Sequence, residues 1–481
     1  MIPDPVRRRL APPALPAGSG WVVTAIVVAV AAILRLDDLA HPAGIQFDEV
    51  YYANEARAML EHGVEYKDGN PAFVVHPPLG KWLIAMGIRL FGFTEVGWRV
   101  AAAVAGTLCV LIIVRTGRRL FRSDVLAGAA GLLVALDGMH LVMSRVALLD
   151  IFLTLFVVAA FGCLVLDRER RRARWLAALE AGRGGPAFAV PWWRLAAGVL
   201  IGCGLAVKWS ALWYLLAFLL LIYLWEVGAR RSAGAPRAWR GALVGESGWL
   251  AAVVVLAVIV YVASWAGWFA GDTGYFRHWL RDSSGVDDGN LVGVLTNWWH
   301  YHREAYGFHT GLSKQHTYQS WPWQWLLLGR PVLIYRSAAP SCGAPSCMAD
   351  ITALGTPLLW WAFPPVLAVL ARLGISRRDW RVGALFICVG AGLLPWFWYA
   401  LQGRTMFAFY ALPALPFLAL ATAYVLGVIA KARPGFLGPA IAGAYMLLVV
   451  ACFAYFYPIY MGHSLPYDAW QARMWLGGRW I

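Results

Sequence analysis

Eleven apolar runs are separated in this chain by short segments whose arginine content alternates from one connection to the next. A run of about 20 apolar residues can bury itself only in a bilayer or against other such runs. The pattern therefore restricts the fold to an all-α polytopic membrane protein. The runs cover about 21–36, 98–114, 125–143, 146–166, two that meet at Lys208 between 195 and 225, 249–269, 357–370, 382–400, 406–429 and 436–457. Arg7, Arg8 and Arg9 precede the first run, RTGRRLFR follows the second, DRERRRAR the fourth, and an arginine-rich stretch at 230–240 precedes the seventh; RLGISRRDWR and KARP join later pairs. Basic connections stay cytoplasmic, so the N-terminus is expected inside, with the first loop, the Lys208 turn, the long loop and LQGRT outside.

This topology divides the chain into a cytoplasmic tail at 1–20, a transmembrane module at 21–269 with an outer first loop at 41–97, a long extracytoplasmic loop at 270–356, a four-span module at 357–458 and an outer tail at 459–481. The first run continues without a small-residue cleavage site and reads as a retained anchor. Composition agrees: 60% of residues are hydrophobic and only 14% charged. The formal charge of +15 would raise nucleic-acid binding in a soluble protein. Here the arginines fall in short connecting runs and form no basic groove, which excludes it. Five of the seven cysteines lie inside apolar runs as small hydrophobes. Cys342 and Cys347, in SCGAPSC, share a polar turn and are expected to form a disulfide if that loop is extracytoplasmic.

The isolated ionisable residues all fall on the predicted outer face. Asp48 and Glu49 open the amphipathic stretch QFDEVYYANEARAML; His76 and Lys81 flank HPPLGK; Arg145 and Asp150 sit in SRVALLD; Lys208 marks an outer turn; Arg404 lies in LQGRT. Charges at membrane depth are costly and usually functional. Asp48 reads either as a helix N-cap or as a general base facing the outer leaflet. Glu49 points elsewhere on the same helix, so at most one of the two acids is the base. Arg145 and Lys208 are snorkelling cations or, converging on one cleft, a site for a lipid phosphate, with Asp150 a buried helper. His76 and Lys81 are weaker candidates for phosphate or sugar contact, as are Lys314 and Arg404. The long loop holds His300, His302, His309 and His316 in a tryptophan-rich setting, but their spacing matches no zinc signature, and no metal is expected. No Walker loop, dinucleotide-binding fingerprint or G-x-S-x-G offers a cradle for a soluble nucleotide.

Six blocks, FDEVYYANEARAML, VHPPLGKWLIAMG, SRVALLDIFLTLF, GCGLAVKWSALW, HTYQSWPWQWLLLGRPVLIY and GRTMFAFYALPALPF, occur in an order that resembles the protein O-mannosyltransferases of the actinobacterial branch. These are multi-span glycosyltransferases of the GT-C class. The resemblance implies a polyprenyl phosphate-linked mannose as donor, Ser or Thr of exported proteins as acceptor, and catalysis at the outer face of the cell membrane. It makes Asp48 the catalytic acid and Glu49 its partner, and it sets Arg145 and Lys208 near the lipid phosphate. The protein export channel is a candidate partner. A lipid phosphate leaves without a general acid, whereas a hydroxyl acceptor needs a base. One base and no enzymic nucleophile imply a single displacement with inversion, no cofactor being required. Two other readings stand beside this one: a related transferase with a glycolipid acceptor, and a transporter. The second is disfavoured because no internal repeat is visible and the charges gather at one face.

Overall fold

A computed structural model describes residues 3–11, 14–18, 20–337, 340–432 and 435–480 of the chain. The described residues are mainly helical. Among the described residues, eight helices are long and apolar enough to cross a membrane: Glu95–Phe121, Asp150–Glu180, Ala211–Ser232, Ala238–Ser264, Pro357–Arg377, Trp380–Leu401, Ala408–Ala432 and Leu437–Met461. Three shorter apolar helices, Trp21–Leu36, Asp124–Ala135 and Trp192–Val207, occupy the remaining expected runs.

The third run departs from expectation. It breaks into Asp124–Ala135 and Gly138–Met143 because Asp137 turns its carboxylate onto the backbone. Asp137 accepts from the His140 amide at 2.8 Å, and it also takes the Trp360 indole N–H at 2.6 Å. A buried acid that finds such donors ends one helix and caps the next.

The helix centred on 415–427 is buried on every side, so its unbroken apolar sequence fills the middle of the bundle. Around it, close approaches depend on small residues. A Cβ on Gly202 would lie 2.8 Å from both Cα and O of Ala257, and one on Gly198 3.2 Å from the Val253 backbone. Helices Trp192–Val207 and Ala238–Ser264 thus meet backbone to backbone through glycines one turn apart. Gly202→Val is expected to force these helices apart and to lower the unfolding temperature in detergent; an unchanged melting curve would show that the contact is dispensable.

The arginine-rich connections gather at one end of the bundle. Arg118 donates to the Gly18 carbonyl at 2.7 Å, Arg119 pairs with Glu169 at 2.7 Å, Arg172 donates to the Arg9 carbonyl, and Arg381 reaches the Leu120 carbonyl at 3.0 Å. The opposite end carries the first loop, with helices Glu49–His62 and Leu79–Phe91, and the long loop. The long loop is more ordered than its tryptophan-rich sequence suggests. Asn290 caps a 21-residue helix, Leu291–Gly311, by accepting from the Gly293 amide at 2.9 Å. Beyond it, strand Val332–Arg336 pairs with Asp350–Ala353, and Cys347–Met348 pairs with Leu465–Pro466, which ties the C-terminal tail to the loop. Cys342 and Cys347 are joined by a disulfide.

Candidate active site

The helix that carries Lys208 ends at that residue, whose backbone turns extended before Ala211–Ser232 begins. The ammonium is thereby held at the bundle end opposite the arginine-rich one. Asp150, at the start of helix Asp150–Glu180, receives it in a two-oxygen contact, 2.9 and 2.8 Å from Nζ. Nζ also lies 5.2 Å from the Tyr410 ring centroid.

A cavity of about 430 Å³ opens beside this pair, and His76, Asp150, Lys208, His309 and Arg404 line it together with Trp209, Tyr399 and Tyr410. Arg404 is held by its own donation to the His309 carbonyl at 2.9 Å, and its guanidinium lies 5.8–5.9 Å from the rings of Trp396, Tyr399 and Tyr410. Two cations, an aromatic wall and a partly apolar floor suit an anionic headgroup attached to a greasy chain.

Asp48 stands at the N-cap position just before helix Glu49–His62, but its side chain caps nothing. Among the described residues its carboxylate takes no hydrogen bond or ion pair, so the capping reading of this residue does not hold. Burial raises its pKa from 3.8 to about 6; Lys208 opposes that rise and Asp150 adds to it. Lys208 and Asp150 both line the cavity, whereas Asp48 is not among its lining residues.

Burial lowers the pKa of all three histidines that line the cavity, His76, His302 and His309. Burial drives the His76 pKa well down, with Lys208, His309, Lys81 and Arg404 adding to the effect, and it brings His309 to about 4. His309 donates Nε2–H to the Val75 carbonyl at 2.9 Å, which fixes its tautomer and leaves Nδ1 as an acceptor. The His76 and His309 rings lie 5.2 Å apart. The cavity's positive charge therefore rests on Lys208 and Arg404.

Three of the expected residues stand elsewhere. Glu49 is fully buried and grips Arg99 in a fork, at 2.8 and 3.0 Å, while accepting from the amides of Gln46 and Ala147. Arg145 wraps the end of helix Trp21–Leu36, donating to the carbonyls of Leu34, Arg35, Asp37 and Asp38. A helix end leaves carbonyls without partners, and a guanidinium with five N–H groups can collect several. Lys81 is fully buried between Glu65 and Glu55, the latter at 3.5 Å. In sequence Glu49 stands beside Asp48, Lys81 five positions after His76 and Arg145 five before Asp150.

Among the long-loop histidines, His302 and His309 line the cavity, His300 stacks on Trp279 at 3.8 Å, and His316 meets Phe407 edge-on at 5.0 Å. Lys314 offers only its backbone carbonyl, to Thr405. Among the described residues no group of three or more His, Cys, Asp or Glu is arranged to hold a metal ion. Tyr399, Tyr410 and Trp209 had no signal of their own in the sequence, because aromatics in an apolar run look alike whether they face lipid, core or cavity.

Two family models match the chain: dolichyl-phosphate-mannose-protein mannosyltransferase over residues 75–185, and the C-terminal four-transmembrane region of protein O-mannosyltransferase over 294–480. The polyprenol-phosphate-mannose–protein mannosyltransferase of Mycolicibacterium smegmatis is 41% identical, covering 95% of this chain and 92% of its own length. Those of Mycobacterium tuberculosis and Corynebacterium glutamicum are 39% and 33% identical over the same share of this chain. The chain belongs to this protein mannosyltransferase family. The fold of the mannosyltransferase matches a solved Saccharomyces cerevisiae structure, the protein O-mannosyltransferase Pmt1–Pmt2 complex bound to the sugar donor. The TM-score is 0.77 at 15% identity, covering 99% of this chain and 94% of that one. A weaker fold match, TM-score 0.53 at 16% identity, is ArnT from Cupriavidus metallidurans bound to undecaprenyl phosphate, covering 91% of this chain and 71% of that one. Asp48 and Lys208 fall outside both segments of the mannosyltransferase that the family models match; His76, Asp150, His309 and Arg404 fall within them.

Proposed function

We propose that this chain transfers mannose from a polyprenyl phosphate to Ser or Thr hydroxyls of exported proteins, with Asp48 as general base and Lys208 and Arg404 as the cations facing the lipid phosphate. What supports this reading is an uncapped, partly buried carboxylate whose raised pKa comes from burial and responds to Lys208 and Asp150, both of which line the two-cation cavity. The acceptor hydroxyl attacks the anomeric carbon as Asp48 takes its proton. The bond from that carbon to the phosphate oxygen breaks, and the charge left on the phosphate meets Lys208 and Arg404. With no enzymic nucleophile in the path, the anomeric centre inverts. Two cations at the leaving oxygen make a metal unnecessary to the step.

Glu49, Arg145 and Lys81 act as positioning residues. The cavity lies at the bundle end away from the arginine-rich connections, which favours a plasma-membrane enzyme working on the extracytoplasmic face. The near full-length protein mannosyltransferase relatives favour a protein acceptor over a glycolipid one.

The test is transfer of labelled mannose from polyprenyl phosphate to a Ser/Thr peptide, followed across pH. Asp48 works only when ionised, so kcat/KM is expected to climb tenfold per pH unit below about 6 and to level off above it. Asp150 raises the Asp48 pKa, so Asp150→Asn is expected to move that limb to lower pH. A lipid acceptor used in preference to the peptide would overturn the acceptor assignment, and a limb that moves upward in Asp150→Asn would remove Asp48 as the base.

A further inference from the structure

A second polar cavity, of about 180 Å³, lies at the arginine-rich end of the bundle, between helices Asp150–Glu180, Trp192–Val207 and Ala238–Ser264. Arg170 lies 20 positions beyond Asp150 on one continuous helix. That is ~30 Å of rise, the thickness of the hydrocarbon core, so the two cavities belong to opposite leaflets.

Its two acids are already spent. Asp167 receives Arg194 at 2.8 Å, and Glu246 receives both Arg194 and Arg171, the latter at 2.6 Å. Arg170 and Arg174 remain. Among the described residues neither pairs with a carboxylate: Arg170 lies 5.2 Å from the Trp193 ring, and Arg174 turns to the backbone carbonyls of Ala187 and Ala189. Two further features of the same wall call for an acceptor. The Trp193 indole N–H is buried and has no hydrogen-bond partner. The 16-residue helix Trp192–Val207 begins here behind Pro191 with no side-chain cap; the Pro191 carbonyl takes the Arg194 and Leu195 amides, at 2.9 and 3.1 Å, which leaves those of Trp192 and Trp193. Trp192, Trp193 and Trp249 around the rim are the aromatics of a membrane interface.

We propose that this cavity seats the phosphodiester headgroup of an anionic phospholipid in the leaflet opposite the transfer site. The phosphate oxygens accept from the Trp193 indole and the free helix amides, and Arg170 and Arg174 balance the charge. A zwitterionic headgroup carries its own ammonium and gains less from the same two arginines. The proposal is independent of the reaction assigned to the outer cavity.

The experiment is native mass spectrometry of the full chain released from detergent with equal amounts of phosphatidylglycerol and phosphatidylcholine. One phosphatidylglycerol is expected to be retained over phosphatidylcholine by about thirtyfold, the contribution of two arginines at headgroup depth. Arg170→Gln/Arg174→Gln is expected to lose that preference, with mannosyl transfer within about twofold of the parent as the check on folding. Should the glutamine pair fold poorly, Arg170→Lys/Arg174→Lys keeps the charge and is expected to keep most of the preference; its loss in a folded lysine pair counts against the site. Equal retention of the two lipids by the parent chain, or an undiminished preference in a folded glutamine variant, would overturn the proposal. So would displacement of phosphatidylglycerol by equimolar inorganic phosphate, which would make this a site for the free anion.

Discussion

Asp48→Asn is expected to lower mannosyl transfer by about 10²–10⁴-fold while leaving a folded protein, the range lost when a positioned general base is removed. The substitution keeps shape and size. The native carboxylate takes no hydrogen bond or ion pair among the described residues, and the helix that starts there does not use it as a cap. Burial already penalises its charge, holding the pKa at about 6, so replacing it by a neutral amide removes a cost from the folded state. The measurement is initial-rate transfer to a Ser/Thr peptide beside a thermal melt of the same preparation. A variant with a parental melt and more than about a tenth of parental activity would show that another group takes the proton.

The neighbouring acid is expected to behave in the opposite way. Glu49→Ala should lower the stability of the fold by about 3–5 kcal/mol, the cost of leaving one member of a buried ion pair without the other. Glu49 and Arg99 are both fully buried. The carboxylate also satisfies the amides of Gln46 and Ala147, so the change strands a guanidinium and two N–H groups at once. Arg99 further donates to the carbonyls of Leu39, Pro42 and Gly44, so the loss would propagate through the start of the first loop. Glu49→Gln separates a positioning role from a chemical one. Folded Glu49→Gln should show a depressed melting temperature and an acid limb still near pH 6, because Asp48 keeps its own surroundings. If Glu49→Gln melts with the parent yet fails to transfer mannose, Glu49 acts on substrate and the assignment here is wrong.

These two adjacent acids show where sequence reasoning stops. The helix that follows the DE motif at 48–49 lies where the amphipathic pattern put it. Helical geometry limited the base to one of the pair, yet could not select it. Arg99, 50 positions later, takes Glu49, which leaves Asp48 as the acid proposed here for the base. Arg145 gives the same lesson for cations. An arginine beside a span reads as a snorkelling cation or as a phosphate ligand, and here four carbonyls at the end of helix Trp21–Leu36 claim it. Arg404, a weaker candidate in the sequence, faces the cavity because the His309 carbonyl and three aromatic rings hold it there.

The amino-acid sequence by itself determined that the chain is a bundle of apolar helices. It also placed the basic connections at one end and the sparse ionisable residues at the other, because hydrophobic length and arginine bias are local properties that no later contact can reverse. It supplied the ordered blocks that carry the family likeness as well. Only the tertiary structure decided which charges are free to act. A buried charge takes whichever partner the fold brings within about 3 Å, and those partners lie on helices far apart in sequence, so no spacing along the chain could have named them.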